Sequence, residues 1–125
     1  MDQETRKHLG KDPDGLLTYE YIANHIGLCD DDMPLLVDNM IAVDSTGQFM
    51  VSAARYLGAI DAVKYQESIG RLVAMAIERD RERRYIGDLL TSLWGPDYLE
   101  RAEALSSSDD NFRRIFKRIH PSGLL

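Results

Sequence analysis

At 125 residues, 44% apolar and 29% charged, the chain has the usual size and composition of one globular domain and buries enough surface to fold without a metal or disulfide. Its net charge of −6 argues against strong nonspecific nucleic-acid binding, which comes mainly from neutralising phosphates. No apolar run approaches the ~20 residues of a membrane span, the opening MDQETRKHLGKDPDG has no apolar leader core, and the lone Cys29 cannot form an internal bridge, so a cytoplasmic protein with no membrane contact is expected.

Residues 1–15 read as a flexible or loosely packed segment ending in the Gly10–Gly15 loop. Thr18 is placed to cap a helix from about Tyr19 to Ile26, with Gly27 as a left-handed stop. A second helix is expected to begin near Asp30 or Asp31, with Pro34 tolerated in its first turn and Leu36, Val37, Met40 and Ile41 on one face. Asp44-Ser45-Thr46-Gly47 is a turn, Ser45 or Thr46 capping a third helix that carries Phe49, Ala53, Tyr56 and Leu57.

Ile69, Leu72, Val73, Ala76 and Ile77 recur at helical spacing, stall at the apolar-free stretch Glu78–Arg84, and resume out of phase at Tyr85 and Ile86. That predicts either a break near residue 80 or one long helix with different partners along it. Pro96 is placed to open a short helix with Leu99, Ala102 and Leu105. The last helix is expected from Asp109 or Asp110 to Ile119, with Phe112, Ile115, Phe116 and Ile119 on its inner face. No segment alternates like a strand and no repeat of 20–50 residues is visible. The expected fold is a single all-α domain, 1–125, of about six or seven helices.

Ile22, Ala23, Ile26, Gly27, Leu28, Met33 and Leu36 fall where two short helices meeting at a turn need small or apolar residues. LTYEYIANHIGL resembles the first half of the helix-turn-helix unit of bacterial regulators, which implies a helix-turn-helix-like pair near the N-terminus. Such a unit presents polar and basic groups to DNA from its second helix. Here that helix would open on Asp30, Asp31 and Asp32, and Tyr19–Asp38 holds no Lys or Arg. The scaffold is retained in this reading; DNA readout through it is not.

The same three acids do not make an EF-hand, because Met33 and Pro34 occupy the middle of the loop and its glycine is missing. Acids at a helix start cap free N–H groups and suit the dipole. No phosphate loop, HExxH or CxxC is present, His8, His25 and His120 lie far apart, and acids beside Cys29 raise rather than lower a thiol pKa. No catalytic residue, cofactor or metal ligand is therefore assigned, and the chain is not expected to be an enzyme.

Charge is uneven: residues 1–50 carry ten acids against three bases, residues 51–125 eleven acids against twelve bases. Arg79 and Arg83 belong to a cluster diluted by Glu78, Asp80 and Glu82, which reads first as a solvated helix face. Arg113, Arg114, Lys117 and Arg118 form a cleaner patch, since no acid follows Asp110. This patch is expected to dock on the acidic half of the same chain or of a second copy, ahead of nucleic acid. The leading expectation is a non-enzymatic protein–protein interaction module, with a protein partner or homo-oligomer. The alternative is a nucleic-acid-binding regulator using the basic C-terminal helix.

Overall fold

The computed structural model describes residues 1–122. Among them are eight α-helices and no strand: α1 (Gln3–Gly10), α2 (Leu16–Asn24), α3 (Met33–Val43), α4 (Gln48–Asp61), α5 (Gln66–Arg79), α6 (Asp88–Trp94), α7 (Ala102–Ser108) and α8 (Asp110–Ile119). All-α architecture is as expected, with one or two more helices than the periodicity predicts. One extra helix is α1, in the segment expected to be loose; Asp2 caps it by accepting the Thr5 N–H at 2.7 Å, and Leu9 is buried. The apolar stripe breaks at residue 80, between α5 and α6.

A buried aspartate organises every other junction along the first six helices, three in all. Asp12 lies between α1 and α2, and its two carboxylate oxygens accept the N–H groups of Asp14, Gly15 and Thr18 and the Thr18 hydroxyl. Asp44, between α3 and α4, accepts the N–H groups of Thr46, Gly47, Phe49 and Met50. Asp80, between α5 and α6, accepts those of Arg84, Tyr85 and Ile86. Asp12 and Asp44 satisfy amides that the starts of α2 and α4 leave without intrahelical partners, and Asp80 satisfies those of the turn leading into α6. The residue three places after each aspartate is left-handed: Gly15 at φ 108°, Gly47 at φ 87° and Arg83 at φ 59°.

These junctions lie in a row. A Cβ on Gly15 would meet the Asp44 and Phe49 Cβ atoms at 3.1 Å, and one on Gly47 would come within 3.5 Å of the Asp80 Cβ. The helices follow the same order, α1 lying on α3, α2 on α4, α3 on α5 and α4 on α6. Three helix–aspartate–helix units are thus stacked, so the chain does contain a repeat. It escapes a sequence reading because DPDG, DSTG and DRER share only their first residue throughout. The α4–α5 interface is the most extensive, and α7–α8 closes the stack, α8 packing on α5 and α6. Asp109 caps α8 through the Phe112 N–H and binds the Trp94 indole at 2.9 Å.

Several local expectations differ from the structure. Thr18 is not the cap of α2 but a buried partner of Asp12, so α2 starts earlier, at Leu16. Asp44 caps α4 through the Phe49 and Met50 N–H groups, and the Thr46 hydroxyl adds a weaker cap by accepting the Gln48 N–H at 3.3 Å, while Ser45 takes no part. Pro96 opens a run of turns, not a helix, and α7 begins at Ala102. The helix-turn-helix-like pair does not take its expected form. Gly27 is left-handed as predicted, but Asp30–Asp32 form a 3-10 turn, α3 begins only at Met33, and Leu28 is 87% exposed instead of interior.

Candidate functional site

Asp30 is held by Lys64, whose ammonium lies 2.7 Å away, and by the Tyr65 hydroxyl at 2.6 Å. These two donors hold its carboxyl below the usual carboxylate range, and the carboxylate in turn raises both partners. Asp32 accepts the Met1 amino group at 2.9 Å. Asp31 is exposed and has no ion pair among the described residues. Two of the three acids therefore pin the turn in place, one to the start of the chain and one to the segment before α5.

The clamp at Asp30 brings two exposed apolar residues onto adjoining turns. Leu28 lies two residues before Asp30, and Val63, 82% exposed, directly precedes Lys64. Ile60, half exposed, follows Tyr56 by one helical turn on α4, and the Tyr56 hydroxyl donates to the Ala23 carbonyl at 3.4 Å near the end of α2. Leu28, Ile60 and Val63 thus stand exposed on segments tied together through Asp30 and Tyr56, an apolar tip with the acids Asp30, Asp31 and Asp61 next to it in sequence. Beneath it, burial and the nearby Asp30 push the Cys29 thiol up, leaving a buried thiol unsuited to nucleophilic work.

The arginines divide by task. Arg79 is structural: it donates to the main-chain oxygens of Ile41 and of Asp44, the latter at 2.6 Å, tying the third junction to the second. Arg113 pairs with Asp110, whose carboxyl it holds low, and Arg114 lies 3.9 Å from Glu78. Arg118 donates to the Ile77 carbonyl, and Arg83 donates to the Arg118 carbonyl at 3.1 Å. Lys117 is exposed. The two basic tracts, some thirty residues apart in sequence, thus join into one surface, with an open cleft of about 520 Å³ lined by Glu78, Arg81, Arg83 and Arg118.

The basic face of α8 does not dock on the acids at the other end of the chain. Asp30 and Asp32 are taken by other partners, and α8 packs on α5, α6 and α7. Sequence reasoning names both charged regions but misses the apolar tip, because Leu28 is assigned to the core, and misses Arg81 as part of a cleft. It also leaves Asp12, Asp44 and Asp80 unremarked as a set. The signal available for them is Asp-x-x-Gly, repeated 32 residues apart at Asp12 and Asp44.

The junction carboxylates can be dismissed as a metal centre on chemical grounds. Their oxygens face N–H donors, which present positive charge where a cation would have to sit. Among the described residues, no group of three or more His, Cys, Asp or Glu side chains is arranged to hold a metal. No helix of the described residues is long and apolar enough to cross a membrane. Compared with known protein families, characterised proteins and solved structures, the chain matches none.

Proposed function

We propose that the chain is a non-enzymatic, cytoplasmic protein-interaction module whose apolar tip docks on a second copy of the same chain. The observation that carries this reading is the apolar tip of Leu28, Ile60 and Val63, held together by Asp30 and Tyr56 and flanked in sequence by acids. Large exposed apolar side chains gathered at one place mark contact surfaces more often than scattered ones do. The complementary surface is on the same chain, at the exposed Lys117 of α8, beside the Arg113–Asp110 pair. Lys117 and Asp31 have no ion pair among the described residues, which leaves them free to meet between two chains. Such a contact is head-to-tail, and closes into a ring or extends.

Light scattering at low and high salt tests this. A concentration-dependent oligomer is expected, weakened by Leu28→Ser or Val63→Ser. Lys117→Glu should weaken it too, and Asp31→Lys in the same chain should restore it. A protein that stays monomeric at high concentration and low salt would overturn self-docking.

A nucleic-acid-binding regulator is the second reading, and the joining of the two basic tracts favours it. It would hold phosphates with Arg113, Arg114, Lys117 and Arg118, and its affinity would fall steeply with salt. Absence of any duplex or single-strand shift at low salt removes it.

A further inference from the structure

The third junction breaks the pattern of the first two. The left-handed position is glycine at 15 and 47 but arginine at 83. A left-handed conformation is unfavourable for any residue with a Cβ. An arginine kept there points to a use for its side chain. The side chain reaches across to the end of α8, and Arg118 reaches back to the end of α5, each donating to a main-chain carbonyl. These contacts neutralise two helix C-termini. They also fix the direction of both guanidiniums while using only part of the five N–H groups each carries. Arg81 lines the same cleft, is exposed, and caps no carbonyl among the described residues.

We propose that Arg81, Arg83 and Arg118 form a binding cleft for a phosphate monoester, borne by a small molecule or by a phosphorylated protein side chain. The chemistry follows from the charge arrangement. A monoester carries close to two negative charges on three terminal oxygens, which suits guanidiniums converging from two elements. A nucleic-acid diester carries one charge, and its chain must continue past the cleft. There it would meet Glu78, which lines the cleft. That acid tolerates one dianion seated among arginines but opposes a run of phosphates. The site is independent of the apolar tip.

Titration calorimetry with inorganic phosphate, phenyl phosphate, a Gly-phosphoserine-Gly peptide and its unphosphorylated form tests the cleft. A single strand and a duplex with 5′-hydroxyl ends supply phosphodiesters alone. The monoesters should bind and the diesters bind more weakly. Arg81→Ala should weaken monoester binding about tenfold, the worth of one good charge-assisted contact. Glu78→Gln should strengthen it. Arg83→Gly should weaken it while keeping the helical circular dichroism, since glycine suits the backbone there. Val63→Ser, which tests self-docking at the apolar tip, should leave it nearly unchanged. Tighter binding of the phosphopeptide than of phenyl phosphate assigns the ligand to a protein, and equal binding to a small-molecule monoester. The proposal is overturned if no monoester binds, if Arg81→Ala and Glu78→Gln both leave affinity unaltered, or if the diester strands bind more tightly than the monoesters.

Discussion

The junctions at Asp44 and Asp80 share a carboxylate that accepts the N–H groups five and six residues on and a left-handed third position, yet they carry different residues at that position. At Gly47 two constraints coincide. The backbone is left-handed, and a Cβ would lie 3.3 Å from the Ala76 carbonyl of the next unit. At Arg83 only the first applies, because no fourth junction follows in the row. The side chain there has somewhere to go: the end of α8. Inside a stack, the neighbouring unit dictates glycine. At the end of the stack that restriction lifts, and the position becomes available for a charged group at the price of a left-handed arginine. Repeats generally differ at their ends for this reason, since the terminal unit faces a cap or solvent instead of another copy.

The largest effect should come from removing the organising carboxylate inside the stack. Asp44→Ala deprives four main-chain N–H groups of their acceptor, two of them, at Gly47 and Met50, in buried residues. A loss of about 3 kcal/mol or more is expected in chemical denaturation, since unpaired buried donors carry their full desolvation penalty. A variant within about 1 kcal/mol of wild type would mean that the Asp44 carboxylate is not what holds the second junction.

Asp12→Asn should cost less, about 2 kcal/mol at neutral pH, because a neutral amide still offers one oxygen to the donors. Its pH dependence is the sharper test. Burial works against the charged form of Asp12, but the Thr18 hydroxyl and the N–H groups of Thr18, Gly15 and Asp14 outweigh it, holding the carboxyl below its ordinary 3.8. A depressed folded-state pKa contributes stability that is complete above the unfolded value and lost as pH falls through the folded one. The wild-type advantage over Asp12→Asn should therefore be flat near neutrality and shrink below about pH 4. A gap that is constant down to pH 2 would show that the charge at Asp12 is not the stabilising element.

How much of this was legible in the sequence depends on the range of each interaction. The inner face of α5, from Leu72 to Ile77, the break at Asp80 and the start of α8 at Asp110 follow from periodicity and capping within a few residues of each other. The helix α1 was hidden because Leu9 is its single buried residue, too little for a stripe. Leu28 was assigned inside because apolar spacing carries no record of whether the turn bearing it is lifted clear of the core. That is decided by Asp30 reaching Lys64 and Tyr65, more than thirty residues away. The cleft was likewise beyond local reading, since Arg83 and Arg118 are 35 residues apart and meet only because α8 packs against α5. The aspartates are an intermediate case. Two of their turns share a visible Asp-x-x-Gly, while the third conceals the kinship by replacing the glycine.

Gly47→Ala probes the inner junction at the position where the two loops differ. A Cβ must there adopt a left-handed backbone and approach Ala76 closely, so a loss of about 1–2 kcal/mol is expected. Thermal melts of Gly47→Ala and wild type at one pH read it directly. Equal melting temperatures would remove the argument that stacking requires glycine.

The smallest net effect belongs to the reverse exchange, and it decides whether the comparison is correct. Arg83→Gly relieves a left-handed residue, worth about 1–2 kcal/mol in favour of the variant. Against this stand the greater freedom of glycine in the unfolded chain, about 0.4–1 kcal/mol, and the lost hydrogen bond to the Arg118 carbonyl, about 0.5–1.5 kcal/mol. These contributions nearly cancel, so stability should move by less than about 1 kcal/mol in either direction. If Arg83→Gly instead destabilises as strongly as Asp44→Ala, the arginine is a structural strut between the third junction and α8, and the junction is as constrained as the other two. If stability holds while the monoester affinity proposed for the cleft falls, the left-handed arginine is retained for what its guanidinium binds.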